Sequence, residues 1–211
     1  MYAVVRDFGF APNPFHGYCT LATCKPAIRN RAEVGDWVVG MGSSERPDAA
    51  GRCIFAMRIT EKITFNEYWT NPIYLDKKPI RNGSRKMMVG DNIYYFNTAR
   101  NEWCQADSHH SNDDGSVNLE NLATDTRSNK VLISQNFFYF GRESPLVPNN
   151  LLNIIGYKSK IGHWVFENGI ASGLIEWLHN SFGGELSQVI GDPFDFDNSE
   201  KRYSKGNNKI F

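Results

Sequence analysis

The chain has 211 residues, 41% of them hydrophobic and 13% aromatic, and its 23 Lys and Arg balance 23 Asp and Glu to a formal net charge of zero. That length suits one domain, with a core that needs no disulfide or metal staple; the apolar content excludes a disordered chain, and neutrality weighs against a protein that coats nucleic acid indiscriminately. No apolar run approaches the ~20 residues of a membrane span, the start MYAVVRDFGF lacks the regions of a signal peptide, and four cysteines form no disulfide framework, so a cytoplasmic chain with reduced thiols is expected. In chain order, Tyr2 to Val5 is a short β-prone run. A loop with two prolines, GFAPNPFHG, follows. Residues 26–33 predict a short helix with Pro26 in its first turn. VGDWVVGMG predicts a turn and a buried strand, and residues 52–60 another strand, with Cys53 a core residue. Residues 64–70 fit a helix with Thr64 as N-cap and Glu67 completing a capping box. DNIYYF and KVLISQNFFYFG give two more strands, and residues 169–182 give the best amphipathic helix, ended by Gly183 and Gly184. The domain is assigned to residues 1–185, with a polar C-terminal tail at 186–211. The predicted class is α+β: a small, partly closed barrel or curved sheet with flanking helices.

Zero net charge hides a segregated pattern. Residues 77–86 carry five basic groups and no acid, whereas residues 101–126 carry six acids and no Lys or Arg. The C-terminus repeats the split, with DPFDFDNSE acidic and KRYSKGNNK basic. Local fields follow such patches rather than their sum.

Phosphate-loop, nucleophile-elbow and HExxH motifs are absent, as is the zinc-deaminase pattern. His16, Cys19 and Cys24 are close in sequence, but their spacing is poor for zinc, and no metal is expected. Three segments carry candidate chemistry. In DFGFAPNPFHGYCTLATCKPAIR, Asp7 ends the first strand, and Phe10 and Phe15 flank Asn13 in a loop stiffened by Pro12 and Pro14. An amide between rigid rings can read the edge of a flat heterocycle stacked on those rings. Lys25 and Arg29, four apart, share a helix face suited to phosphate. The structural alternative makes Asp7 a turn cap, Asn13 an Asx-turn and the two Phe core. In the second segment, Asp107, Ser108, His109, His110 and Ser111 are consecutive polar groups. A carboxylate beside imidazoles is an acid–base pair near neutral pH; the alternative is an acidic surface loop. The third, QNFFYFG, has the continuous aromatics of a strand buried on both faces, although Phe138, Tyr139 or Phe140 can also line a base-sized pocket.

RDFGFAPNPFHGYCTLATCKPAIR, VGDWVVGMGS, GDNIYY, DSHHS and LISQNFFYFG together resemble the nucleotide modification-associated domain 2 family, over about residues 1–160. VGDWVVG is also similar to the PUA and EVE-like barrels. The resemblance implies work on unusual nucleobases, and extends to an antiphage DNA glycosylase acting on glucosylated hydroxymethylcytosine. The leading expectation is therefore an N-glycosylase that excises a hypermodified pyrimidine from phage DNA in antiviral defence, without a cofactor. A carboxylate, Asp7 or its rival Asp107, would stabilise the oxocarbenium-like sugar. His110 would assist the leaving base or position water. Asn13, Gln105, Ser108 and His109 would contact the base, with Phe10 and Phe15 stacking on it. Lys25, Arg29, Lys77, Lys78, Arg81, Arg85 and Lys86 would hold phosphates of DNA carrying modified bases. The alternatives are a non-catalytic reader of modified bases and an enzyme that processes modified mononucleotides.

Overall fold

A computed structural model describes residues 1–158, 162–166, 168–206 and 208–211. The strands are β1 (Tyr2–Val4), β2 (Cys19–Leu21), β3 (Trp37–Gly42), β4 (Cys53–Arg58), β5 (Glu61–Ile63), β6 (Tyr94–Asn97), β7 (Glu102–Gln105), β8 (Val131–Ser134), β9 (Asn136–Tyr139), β10 (Gln188–Val189), β11 (Tyr203–Ser204) and β12 (Lys209–Ile210). The helices are α1 (Pro26–Arg31), α2 (Phe65–Thr70), α3 (Arg85–Met88), α4 (Leu119–Asp125), α5 (Asn149–Ile154) and α6 (Asn168–Phe182).

One sheet runs in the order β1-β3-β4-β9-β10 and a second in the order β2-β8-β5. The outer pairs β1–β3 and β9–β10 are parallel, and β3–β4 and β4–β9 antiparallel. Two stretches of chain pass from sheet to sheet: β4 continues into β5, and β8 into β9 across Gln135. KVLISQNFFYFG is thus two strands bent at one residue, not the single expected strand. Among the described residues neither sheet closes on itself, so the architecture is mixed α+β with open sheets and flanking helices, not a closed barrel.

The alternation of β9 explains its run of aromatics. Phe137 and Tyr139 enter one core cluster, with Val4, Phe55 and Leu132, while Phe138 enters another on the opposite face, with Val39, Met41, Leu174 and Leu178. Such a strand is apolar at every position because both faces are covered. Leu174 and Leu178, one helical turn apart in α6, are at most 1% exposed. Burying two leucines contributes roughly 3–6 kcal/mol as an upper estimate. Gly40 lets β3 approach β4, since a Cβ there would lie 2.1 Å from the Phe55 ring. The capping box of α2 forms as expected: Thr64 Oγ1 accepts from the Glu67 amide, and the Glu67 carboxylate accepts from the Thr64 amide. A third cluster, containing Phe8, Phe10, Phe15, Phe65 and Phe196, lies against β8 and β6 and underlies the site described next. The C-terminal residues join the fold as well: β10 pairs β9, and β11–β12 form a hairpin. Among the described residues no helix is long and apolar enough to cross a membrane.

Candidate functional site

Where β2 ends, the chain turns sharply into α1. Cys24 and Lys25 both take left-handed backbone angles, φ 55° and 39°. Non-glycine residues adopt this region at a cost of order 1–3 kcal/mol each, so surrounding bonds must hold them there. The Cys24 amide donates to Asp125 Oδ1 at 2.8 Å, and its carbonyl accepts from Arg29 Nε at 2.8 Å. Asp125 closes α4, whose Asn118 side chain caps the other end. His110 lies in a turn tied by Ser108 and Ser111, and its carbonyl accepts from Gln105 and Asn121.

These elements bring three side chains into a row. His110 Nδ1 is 2.9 Å from Asp125 Oδ2, and His110 Nε2 is 3.6 Å from Cys24 Sγ. The Tyr94 hydroxyl donates to the same Asp125 oxygen at 2.9 Å. Burial alone would lower the His110 pKa, but the neighbouring Cys24 and Asp125 outweigh it and raise it to about 10. An imidazolium between a thiol and a carboxylate is the arrangement of a nucleophilic cysteine with its base and orienting acid. The ligand atoms of Cys24, His110 and Asp125 lie within 4.8 Å of one another, a donor set known from zinc sites. Here, however, the imidazole bridges the other two through opposite nitrogens, giving a chain rather than three ligands converging on one ion.

The row opens into a cavity of about 360 Å³, walled by Tyr2, Phe8, Phe10, His109 and Tyr203, with Arg6, Lys25 and Lys205 also lining it. Phe10 lies 4.7 Å from the His110 ring and 5.0 Å from that of His109. His109 is buried, its Nδ1 2.6 Å from the Lys201 carbonyl; burial first, and then the charge on His110, lower its pKa to about 3. The two adjacent histidines therefore differ: His109 is a neutral wall and His110 a cation in the row.

Of the expected residues, Phe10, Lys25, His109 and His110 line this cavity; the others do not. Asp7 is 5% exposed and accepts bonds from the Tyr139 hydroxyl and the Gly9 and Phe194 amides, while burial raises its pKa. Asp107 pairs with Arg202 at 2.5 Å; burial would raise its pKa, but Arg202 and Ser111 hold it below the usual carboxylate range. Asn13 forms the Asx-turn of the structural alternative, accepting from the Phe15 amide, and also binds the Val89 carbonyl and Lys77. Phe15 stacks on Phe196. Gln105 bridges Tyr94, His110 and Asn118, and Ser108 Oγ accepts from the His110 amide, so both brace the turn rather than face a base.

Among the basic residues, Arg29 and Lys77 are turned inward. Arg29 is fully buried and commits four of its five N–H donors to the carbonyls of Cys24, Asp125, Ser128 and Lys130, so it is closed off from phosphate. Lys77 is 1% exposed and holds Asn13 and the Tyr18 carbonyl. Lys78 lies over the Trp69 ring, Lys86 over the Phe15 ring, Arg81 binds carbonyls of Met88, Ser199 and Glu200, and Arg85 pairs with Asp197. Lys77 and Arg81 are thus engaged with their own fold, whereas Arg85 and Lys86 stay exposed. Sequence reasoning missed Cys24, which was weighed only as a zinc ligand, and Asp125, which lies 15 residues beyond His110 in a helix without a motif. It also missed Arg6, Tyr203 and Lys205.

No curated protein and no solved structure matches the chain. The sequence profile of the nucleotide modification associated domain 2 family matches residues 1–200, extending beyond the 160 residues of the resemblance and past residue 185. That match covers nearly the whole chain, so the protein that carries the Cys24–His110–Asp125 row belongs to the nucleotide modification associated domain 2 family.

Proposed function

We propose that the chain is an enzyme acting on a nucleotide that carries a modified base, with Cys24 as nucleophile, His110 as its proton partner and Asp125 positioning His110. The observation that carries this reading is the Cys24–His110–Asp125 row in the lining of an aromatic cavity. The family supplies the substrate theme. In the reaction, the proton of the Cys24 thiol is held on His110 Nε2, and Sγ, as thiolate, bonds to an electrophilic carbon of the substrate. The leaving group departs with the electron pair of the broken bond and takes a proton from His110 Nε2. Neutral His110 then takes a proton from water, whose oxygen bonds to the same carbon and releases the Cys24 thiolate. Asp125 keeps the ring oriented and offsets its charge throughout.

The glycosylase expectation assigned the chemistry to Asp7 or Asp107. Both carboxylates are bonded to other parts of the fold, so the thiol carries the present reading. Base excision from DNA becomes one reaction to test rather than the premise. A reader module needs the aromatic walls but no row, which separates it experimentally. Alkylation of Cys24 by iodoacetamide at neutral pH is expected to be about tenfold or more faster than in His110→Ala. Incubation with 5-hydroxymethyl-dCMP, and with DNA containing glucosylated hydroxymethylcytosine, is expected to give product or a Cys24-linked adduct that Cys24→Ser does not form. Equal alkylation rates in the two proteins, or product formation that survives Cys24→Ala, would exclude the thiol mechanism.

A further inference from the structure

We propose that Arg6, Lys25 and Lys205 form a phosphate anchor at the mouth of the Cys24 cavity, so that the substrate is a nucleoside monophosphate rather than a nucleotide within a polymer. This inference rests on the proposed function of the same site and names its substrate class. All three cations line the cavity, and the one acid in its lining, Asp125, already faces His110. Among the described residues, none of the three has a carboxylate within 4.0 Å. Charge of one sign gathered without a partner beside a cavity is the field that binds an anion.

Each cation keeps donors free. Arg6 uses one bond from each terminal nitrogen on Asn208, at 3.3 and 3.0 Å, and stacks at 5.2 Å over Tyr203. A guanidinium carries five N–H donors, so two remain beyond those given to Asn208 and to the Tyr203 side chain. Lys25 Nζ lies 4.6 Å from the Tyr2 ring centroid. Burial first, and then repulsion from Lys205, lower the Lys25 pKa, while Cys24 opposes them. The two ammonium groups thus sense each other, and an anion between them relieves that repulsion.

Size and surroundings favour one nucleotide over a strand. A cavity of about 360 Å³ is at the small end of ligand sites. A duplex needs a wider set of phosphate contacts. The basic 77–86 segment that looked suited to it is absent from the cavity lining.

The test uses 5-hydroxymethyl-dCMP, its nucleoside, inorganic phosphate and an oligonucleotide without terminal phosphates. Thermal unfolding reports binding independently of the thiol, and protection of Cys24 from iodoacetamide reports where binding occurs. The monophosphate is expected to raise Tm and slow alkylation at concentrations where the nucleoside does neither, and phosphate is expected to compete with it. Arg6→Gln and Lys205→Gln, singly and together, are expected to weaken monophosphate binding by about tenfold or more, read from the concentration needed to raise Tm. Nucleoside binding as tight as that of the monophosphate, undiminished binding by all these variants, or an oligonucleotide that protects as well as the monophosphate would overturn the anchor. A His110-independent alkylation rate would instead remove the nucleophile and leave the Tm result to decide the anchor.

Discussion

At the scale of single residues, neighbouring imidazoles with opposite pKa shifts define the site. His109 is pressed among Phe8, Phe10 and the Lys201 carbonyl, and burial, reinforced by His110, lowers its pKa to about 3. His110 is equally buried, but Cys24 and Asp125 overcome that and raise it to about 10. Groups whose environments drive their pKa values apart divide acid–base roles between them. The shifts also set how stability depends on pH. Below the unfolded value near 6.5, unfolded chains bind a proton at His109 that the folded protein refuses, so stability falls as pH drops from about 6.5 toward 3, by at most ~1.4 kcal/mol per pH unit from this group. His110 acts on the other flank: its contribution is complete below about 6.5 and is lost as pH rises toward 10. NMR of the ring nitrogens is expected to find His109 neutral and His110 protonated across pH 5–8. A His109 ring that titrates near 6.5 would remove the acid flank. Urea titrations over the same range are expected to give a stability maximum near 6.5, flattened on its acid side in His109→Gln.

At the scale of elements, α1 is fastened to the site through Arg29. Its guanidinium donates to four carbonyls in two separate segments, at 2.8 Å to Cys24, 2.5 Å to Asp125, 2.8 Å to Ser128 and 2.6 Å to Lys130. It thereby holds the strained turn at Cys24 beside the end of α4. A lysine ammonium has three donors on a single atom and cannot span this fork. Arg29→Lys is therefore expected to destabilise the protein by about 2–4 kcal/mol, read from urea unfolding, because buried carbonyls lose their partners. A change under about 0.5 kcal/mol would show that water or backbone adjustment replaces the fork. This residue also marks where sequence reading stops. The Thr64–Glu67 capping box was legible because its partners are three residues apart and need nothing else. The two-sided burial of β9 was legible for the same reason, since alternation is a local property. Arg29 lies in the short helix α1, but Lys25 stands at its N-cap in a left-handed conformation rather than on the same helix face, and spacing alone cannot tell a helix face turned to solvent from one turned to buried carbonyls 96 to 101 residues away. His110 and Phe10 were identified as site residues from their chemistry, whereas Cys24 and Asp125 acquire theirs only from contacts that the topology makes.

At the scale of the whole molecule, some of the chain's charged patches pair with one another. The acidic run after residue 191 meets cations of the body: Asp195 bonds Arg46 at 2.7 and 3.0 Å, and Asp197 lies 2.8 Å from Arg85 and 2.5 Å from Arg142. The basic run beyond it supplies Arg202 to Asp107 and Lys205 to the cavity. The segment after residue 185, expected to be a polar tail, thus fastens the body at several points. Its contributions differ in strength. Asp197 is about half exposed, and exposed pairs are worth at most ~1 kcal/mol, so Asp197→Asn is expected to shift stability by less than that. Phe196 is 5% exposed and stacks on Phe15 inside the cluster beneath the site, so Phe196→Ala is expected to cost about 3 kcal/mol. Removing residues 186–211 takes away that ring, the Arg202 bonds to Asp107, Ser108 and Ser111, and the β10 edge strand together. These losses add to an appreciable share of the 5–15 kcal/mol that holds a typical domain. The truncated chain is expected to lose its cooperative thermal transition in circular dichroism, while full-length Asp197→Asn keeps it within a few degrees. A truncated protein that melts at the full-length Tm would mean that the segment rests on the domain without stabilising it. The Phe196→Ala and Asp197→Asn pair then decides the cause of any loss, since an ionic origin predicts the larger effect from Asp197 and its reduction by salt.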